Sequence, residues 1–221
     1  MSFELFTTIT AYGNQIGFHT KLDENLILNQ LKEFDNDWTR YNPRVGLKFP
    51  IGMNPGEHIN NRWGLSITNI NGKLGAGPDL DSLHQYNREN DTNYKEEDFT
   101  VKTPVYDMFE EYFAPFEQWL FRCHIIQLRP GGFFPPHVDN YGRSIESFRL
   151  FIPLKNCNPP NHYFIEDNQI LYFQHGRVYF MNTCKQHLLF NPLPSTTIFI
   201  VLNVKLNEDS VDHFLTTEYL R

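Results

Sequence analysis

His137, Val138 and Asp139 stand directly after Pro135-Pro136, and a second histidine, His187, opens a later apolar run, His187-Leu188-Leu189-Phe190. Imidazole and carboxylate groups bind first-row divalent metals. Two imidazoles and one carboxylate can occupy one face of a coordination sphere and leave the opposite face open, the ligand set expected of a non-haem Fe(II) site. On its own His-x-Asp is a short pattern that chance often supplies, and its plain alternative is a surface loop with a solvated His and Asp. Its setting adds weight. Residues i and i+2 of an extended chain point to one side, and the two prolines hold the chain extended just ahead of them. His137 and Asp139 can therefore aim together, with His187 as the third ligand.

These side chains need a rigid frame. After residue 121 the sequence breaks into short Phe-, Ile-, Val-, Leu- and Tyr-rich runs: Cys123 to Leu128, Phe148 to Leu154, His162 to Ile165, Ile170 to Phe173, Arg177 to Met181, His187 to Phe190 and Thr196 to Leu206. Turn signals at Pro130-Gly131, Asn158-Pro159-Pro160, His175-Gly176 and Asn191-Pro192 separate them, so they are expected to be strands. The first part differs. Ile27, Leu28, Leu31, Phe34 and Trp38 recur at helical spacing, predicting a helix over 22–38 with Asp23 and Glu24 in its first turn. Asn42-Pro43 and Asn54-Pro55-Gly56 read as turns, and Arg62 to Thr68 alternates as a half-buried strand would. Residues 71–102 form a polar excursion in which Asp79 could cap a short helix carrying Leu80, Leu83 and Tyr86. Thr103-Pro104 is an N-cap followed by Pro at the first helical position, and Val105, Phe109 and Phe113 give that helix a buried stripe. Helices first and many strands afterwards predict a mostly β (α+β) single domain over 1–221. Helices and loops in 1–120 would buttress a jelly-roll, cupin-like sheet pair in 121–214.

Composition narrows the class. The chain has 221 residues, enough for a substantial core, and 20 Phe, 11 Tyr and 3 Trp to fill it. Net charge is −7 and no Lys/Arg run stands out, which argues against nucleic acid as a partner. Cys123, Cys157 and Cys184 are odd in number and widely spaced, as in a reduced, cytoplasmic protein. Neither a signal peptide nor an apolar stretch of membrane-spanning length is visible, so no membrane partner is expected.

The C-terminal half resembles the Fe(II)/2-oxoglutarate-dependent oxygenases, most closely their aspartyl/asparaginyl β-hydroxylase and bacterial proline cis-hydroxylase branch. The matching pieces, in order, are Arg129-Pro130-Gly131, His137-Val138-Asp139, Arg149-Leu150-Phe151-Ile152-Pro153-Leu154, Gly176-Arg177-Val178-Tyr179-Phe180 and His187-Leu188-Leu189-Phe190-Asn191. The resemblance implies a double-stranded β-helix with Fe(II) held by His137, Asp139 and His187. It implies 2-oxoglutarate and O2 as cosubstrates, release of succinate and CO2, and hydroxylation of a small-molecule or peptide substrate.

The chain departs from that pattern at one place. Such enzymes usually pair the distal carboxylate of 2-oxoglutarate with an Arg about ten residues beyond the second His, because a buried bare carboxylate is costly. Here that neighbourhood reads Pro194-Ser195-Thr196-Thr197. Thr197 can donate a hydrogen bond but carries no charge. Arg149 is the first candidate for the cation, followed by Arg129 and Lys155, with Lys155 expected on the same strand face as Arg149; Gln127 joins them as a cosubstrate-binding candidate. The remaining histidines, His19, His58, His84, His124, His162, His175 and His213, lack partners at ligand spacing and read as structural or surface residues. Two rival functions stay open: a jelly-roll module that binds metal or ligand without turnover, and a cupin-type metalloenzyme that does not use 2-oxoglutarate.

Overall fold

The computed structural model describes residues 2–41, 61–75, 80, 83–139, 141–142 and 145–219. The turns expected at Asn42-Pro43 and Asn54-Pro55-Gly56, the Asp79 cap and His58 lie outside them. The N-terminal part supplies helices α1 (Ser2–Thr10), α2 (Glu24–Gln30), α3 (Leu83–Asn90) and α4 (Glu110–Phe113). Between them run strands β1 (Gln15–Lys21), β2 (Thr39–Arg40), β3 (Arg62–Ser66), β4 (Thr68–Asn69) and β5 (Val101–Lys102). The C-terminal part carries β6 (Leu120–Leu128), β7 (Phe133–His137), β8 (Ser147–Lys155), β9 (Tyr163–Glu166) and β10 (Gln169–Leu171). It ends with β11 (Arg177–Met181), β12 (His187–Phe190), β13 (Thr197–Lys205), a short helix α5 (Glu208–Asp212) and a π-helical turn, His213–Tyr219.

The strands form a seven-stranded antiparallel sheet in the order β1-β11-β8-β13-β6-β3-β2, a four-stranded one in the order β10-β9-β12-β7, and a small pair, β4-β5. From β6 to β13 the chain crosses repeatedly between the two larger sheets. β6, β8, β11 and β13 lie in the large sheet, and β7, β9, β10 and β12 in the small one. That is a jelly roll, mostly β, with helices packed on one side.

Alternation along the strands divides the core. Leu150, Ile152, Ile200, Leu202 and Val204 turn to the outer face and pack with Phe109, Phe113, Phe116 and Phe214. Ile126, Leu128, Phe151, Phe199 and Val201 turn inward and meet Phe164, Phe173 and Leu189 between the sheets. The β6–β7 turn depends on Gly131, whose φ of 76° lies in the region that side chains avoid.

The local signals hold with adjustments. Asp23 caps α2 by accepting from the backbone N–H groups of Asn25 and Leu26, but the helix gives way to a 3₁₀ turn, Leu31–Phe34, well short of residue 38. Asp35-Asn36-Asp37 follows, residue types that favour turns. Thr103 caps a 3₁₀ segment, Pro104–Phe109, which leads into α4. Six elements were not foreseen: α1, β1, β2, β5, β7 and α5. β7 contains Pro135 and Pro136, and it sits at the edge of its sheet, where a missing N–H breaks no ladder. All three cysteines are free thiols, and burial pushes those of Cys123 and Cys157 up to about 12. Among the described residues no helix is long and apolar enough to cross a membrane.

Candidate metal centre

His137 ends β7, His187 opens β12, and the two are register partners. Cross-strand partners share a face, so both imidazoles point into the space between the sheets. Their ring centroids are 4.2 Å apart. Asp139 lies two residues past the end of β7, and its N–H donates to the Thr183 carbonyl at 2.9 Å. That bond ties the carboxylate to the connection leading into β12. His137 Nε2 lies 3.6 Å from Asp139 Oδ1, and His187 Nε2 lies 3.9 Å from Asp139 Oδ2. One donor atom from each residue falls within 4.8 Å of the others. Neighbouring ligands of a metal with bonds near 2.1 Å sit roughly 3 Å apart, so closing the group takes side-chain shifts of about 1 Å.

The hydrogen bonds of the rings fit a metal. His137 Nδ1 lies 2.7 Å from the Pro135 carbonyl oxygen, and His187 Nδ1 lies 2.9 Å from that of Lys185. A carbonyl can only accept, so each Nδ1 carries the proton and each Nε2 keeps its lone pair. Metal-ligating histidines are oriented by such bonds. Phe164 stacks on the His187 ring at 5.8 Å. Burial, helped by His137, pushes the His187 imidazole down to about 4, which keeps it neutral and able to ligate.

Arg149 is brought to the same place. Its Nη1 donates to Asp139 Oδ2 at 2.6 Å and its Nε to Asn203 Oδ1 at 3.2 Å. Its guanidinium carbon lies 4.1 Å above the Tyr141 ring, and Asn203 in turn donates to the Arg122 carbonyl at 3.0 Å. Burial disfavours the Arg149 charge, but Asp139 and its neighbours outweigh it and raise the pKa above the usual arginine value. Arg149 therefore holds one Asp139 oxygen and leaves Oδ1 as the one to meet a metal. The expectation that its charge serves a cosubstrate meets a guanidinium already engaged with a candidate ligand.

The other basic candidates are not brought to this group. Gln127 Oε1 accepts from Arg129 Nε at 3.0 Å, and Arg129 lies over Trp63, whose ring packs with the outer core. Lys155 was expected on the Arg149 face. A bulge separates the Lys155–Ile198 pair from the Pro153–Phe199 pair, which resets the alternation and sends Lys155 outward. Gln127 and Lys155 instead line an outer groove beside α2, with Lys32, Trp38 and Ile198. Thr197 does face inward, but its hydroxyl donates to the Asn156 carbonyl at 3.2 Å.

His137, His187 and Arg149 line a pocket whose other walls include Tyr41, Phe134, Phe151, Phe199 and Thr183. The sequence patterns missed Asn203, Tyr141 and Thr183. Asn203 had a signal, a polar residue in register with Phe199 and Val201 on an apolar strand. Of the remaining histidines, His19 and His84 are exposed and His124 and His162 buried; burial drives the His162 imidazole down to about 3.

No protein-family model matches the sequence, and no curated protein matches it. Among solved structures, the chain is similar to a prolyl-4-hydroxylase from Pseudomonas putida at 11% identity, with a TM-score of 0.49 and 94% of this chain and 100% of that one covered. It is also similar to a 2OG-Fe(II) oxygenase family oxidoreductase from Burkholderia pseudomallei at 14% identity, TM-score 0.37, covering 65% of this chain and 66% of that one. A cupin domain from Bordetella pertussis matches at 15% identity and TM-score 0.31, over 39% of this chain and 82% of that one. These likenesses say nothing about what this chain acts on.

Proposed function

We propose that this chain is an Fe(II)- and 2-oxoglutarate-dependent oxygenase, akin to the aspartyl/asparaginyl β-hydroxylase and proline cis-hydroxylase branch. Its substrate is an amino acid, a peptide side chain or another small metabolite. The observation that carries this is the convergence of His137, Asp139 and His187 beside a pocket, with both Nδ1 protons committed to carbonyls. The two Nε2 atoms and Asp139 Oδ1 would hold the iron. Bound iron, 2-oxoglutarate and O2 supply an oxidation that yields succinate, CO2 and a hydroxylated C–H position. The protein's own part is physical. Three ligands on one side leave room for a chelating cosubstrate, Arg149 offsets the Asp139 charge, and the phenyl walls exclude water from the reacting groups.

A second reading is the same metal centre working without 2-oxoglutarate. Two observations favour it: Arg149 is engaged with Asp139, and the Thr197 hydroxyl with Asn156. Titrating 2-oxoglutarate into anaerobic, Fe(II)-loaded protein separates the two. An iron-to-keto-acid charge-transfer band, followed by succinate when O2 is admitted, is the expected result. Asp139→Ala should abolish tight metal binding, while Asp167→Ala leaves it intact. Metal uptake without the band would move the assignment to the second reading, and wild-type protein that takes up no metal would end both.

A further inference from the structure

The outer face of the large sheet is apolar where it packs with the aromatic rings of the helical part. At the end that carries Gln127 and Lys155 that layer gives way to a groove. The strands lay one row of partners across this end. Arg40 pairs with Trp63, Trp63 with Gln127, Gln127 with Ile198 and Ile198 with Lys155. Partners share a face, and Ile198 belongs to the outer core, so the whole row turns outward. It crosses four inter-strand spacings, roughly 19 Å.

Cations collect along that row. Arg40 and Arg129 both lie against the Trp63 ring, 4.3 and 4.0 Å from its centroid. Burial, and then the Arg40 charge, lower the Arg129 pKa, so two like charges stand together on one indole. Arg129 Nε donates to Gln127 Oε1 at 3.0 Å, which leaves the Gln127 amide nitrogen as a further donor. At the other end Lys155 is exposed, and Lys32, from the 3₁₀ turn after α2, lines the same groove. The groove holds about 490 Å³, a size that suits a ligand, and Trp38 and Ile198 give it apolar walls. Asn25 and Asn29 bring carboxamides from α2, and Asp35 brings an acid. The chain as a whole carries a net charge of −7, so this basic strip runs against its overall balance.

We infer that this strip docks an acidic stretch of another polypeptide, laid across the strands with its carboxylates on Arg129, Lys155 and Lys32 and its aliphatic side chains against Trp38 and Ile198. The cations are spread along a row and do not converge on one point, which suits a chain of charges better than a single small anion. An extended polypeptide covers that row in roughly six residues. Carboxamides such as those of Asn25 and Asn29 both donate to and accept from a peptide group. The strip lies on the face of the sheet turned away from the metal centre, so its occupation does not depend on the function proposed above.

The test uses a fluorescein-labelled peptide of that length in which glutamate alternates with leucine, and its counterpart with lysine in place of glutamate. Each is titrated with the full chain and followed by anisotropy. The acidic peptide should bind at least about tenfold more tightly than the basic one, and its affinity should fall as salt rises. Combining Lys32→Glu with Lys155→Glu should weaken it at least about tenfold. Asp35→Asn should tighten it, a gain that a misfolded variant cannot give. No binding of the acidic peptide, equal binding of the two peptides, unchanged affinity in the double variant or weaker binding in Asp35→Asn overturns the assignment. So does complete displacement by inorganic phosphate at constant ionic strength, which makes the strip a small-anion site. Tighter binding of a single-stranded oligothymidylate of equal charge also overturns it, in favour of nucleic acid.

Discussion

The two faces of the seven-stranded sheet are built from the same strands and do different work. On β13, Ile198, Ile200, Leu202 and Val204 turn outward into an apolar layer shared with the helices. Their neighbours Phe199 and Val201 turn inward, followed by Asn203, which braces Arg149. The outer face is oil against oil, and its contribution is stability. The inner face carries Arg62, His124, Arg149 and Asn203 among phenyl rings, and a buried polar group there costs free energy unless it is bonded. The difference teaches that one strand can serve both ends because a step of one residue changes the face. It also means a single bulge reassigns a side chain, as it does for Lys155.

Three substitutions probe that division. Ile200→Ala, at a fully buried outer position, should cost roughly 2–5 kcal/mol of stability by chemical denaturation. Metal affinity should stay within about twofold of wild type, and a larger loss would show that the faces are coupled. Arg149→Gln leaves Asp139 without its cation. With both side chains mostly buried, it should cost roughly 1–3 kcal/mol in the metal-free protein, measured the same way, and added divalent metal should recover most of that. If metal rescues nothing, Asp139 is not a ligand. Lys155→Gln, exposed and turned to the outer groove, should change stability by less than about 0.5 kcal/mol and metal binding not at all. A marked loss of keto-acid binding in that variant would mean the bulge does not keep Lys155 outside.

Much of this was legible in the residues. The seven apolar runs after residue 121 became β6 and β8–β13, because strand length, β-branched and aromatic content and turn residues all agreed. His137, Asp139 and His187 were visible for a similar reason: few side chains bind metals, and their spacing suits an extended chain. What stayed hidden depends on register. Arg62 sits on a segment whose alternation was clear, but nothing local said which face would turn toward the four-stranded sheet; the pairing with Leu128, a residue of the inner core, settles that. Lys155 went the other way, since a bulge leaves no mark in the pattern. β7 was concealed by its prolines, which argue against a strand unless it lies at an edge.

The bond between Arg149 and Asp139 bears on how the protein matures. A cluster of ligands that needs its ion for charge balance cannot be assembled until the ion arrives, and such domains are unfolded without it. Here the carboxylate already has a cationic partner from the chain itself, and the two imidazoles are held by backbone carbonyls. The jelly roll can therefore close first and be metallated afterwards, with loading reversible by a chelator while the fold persists.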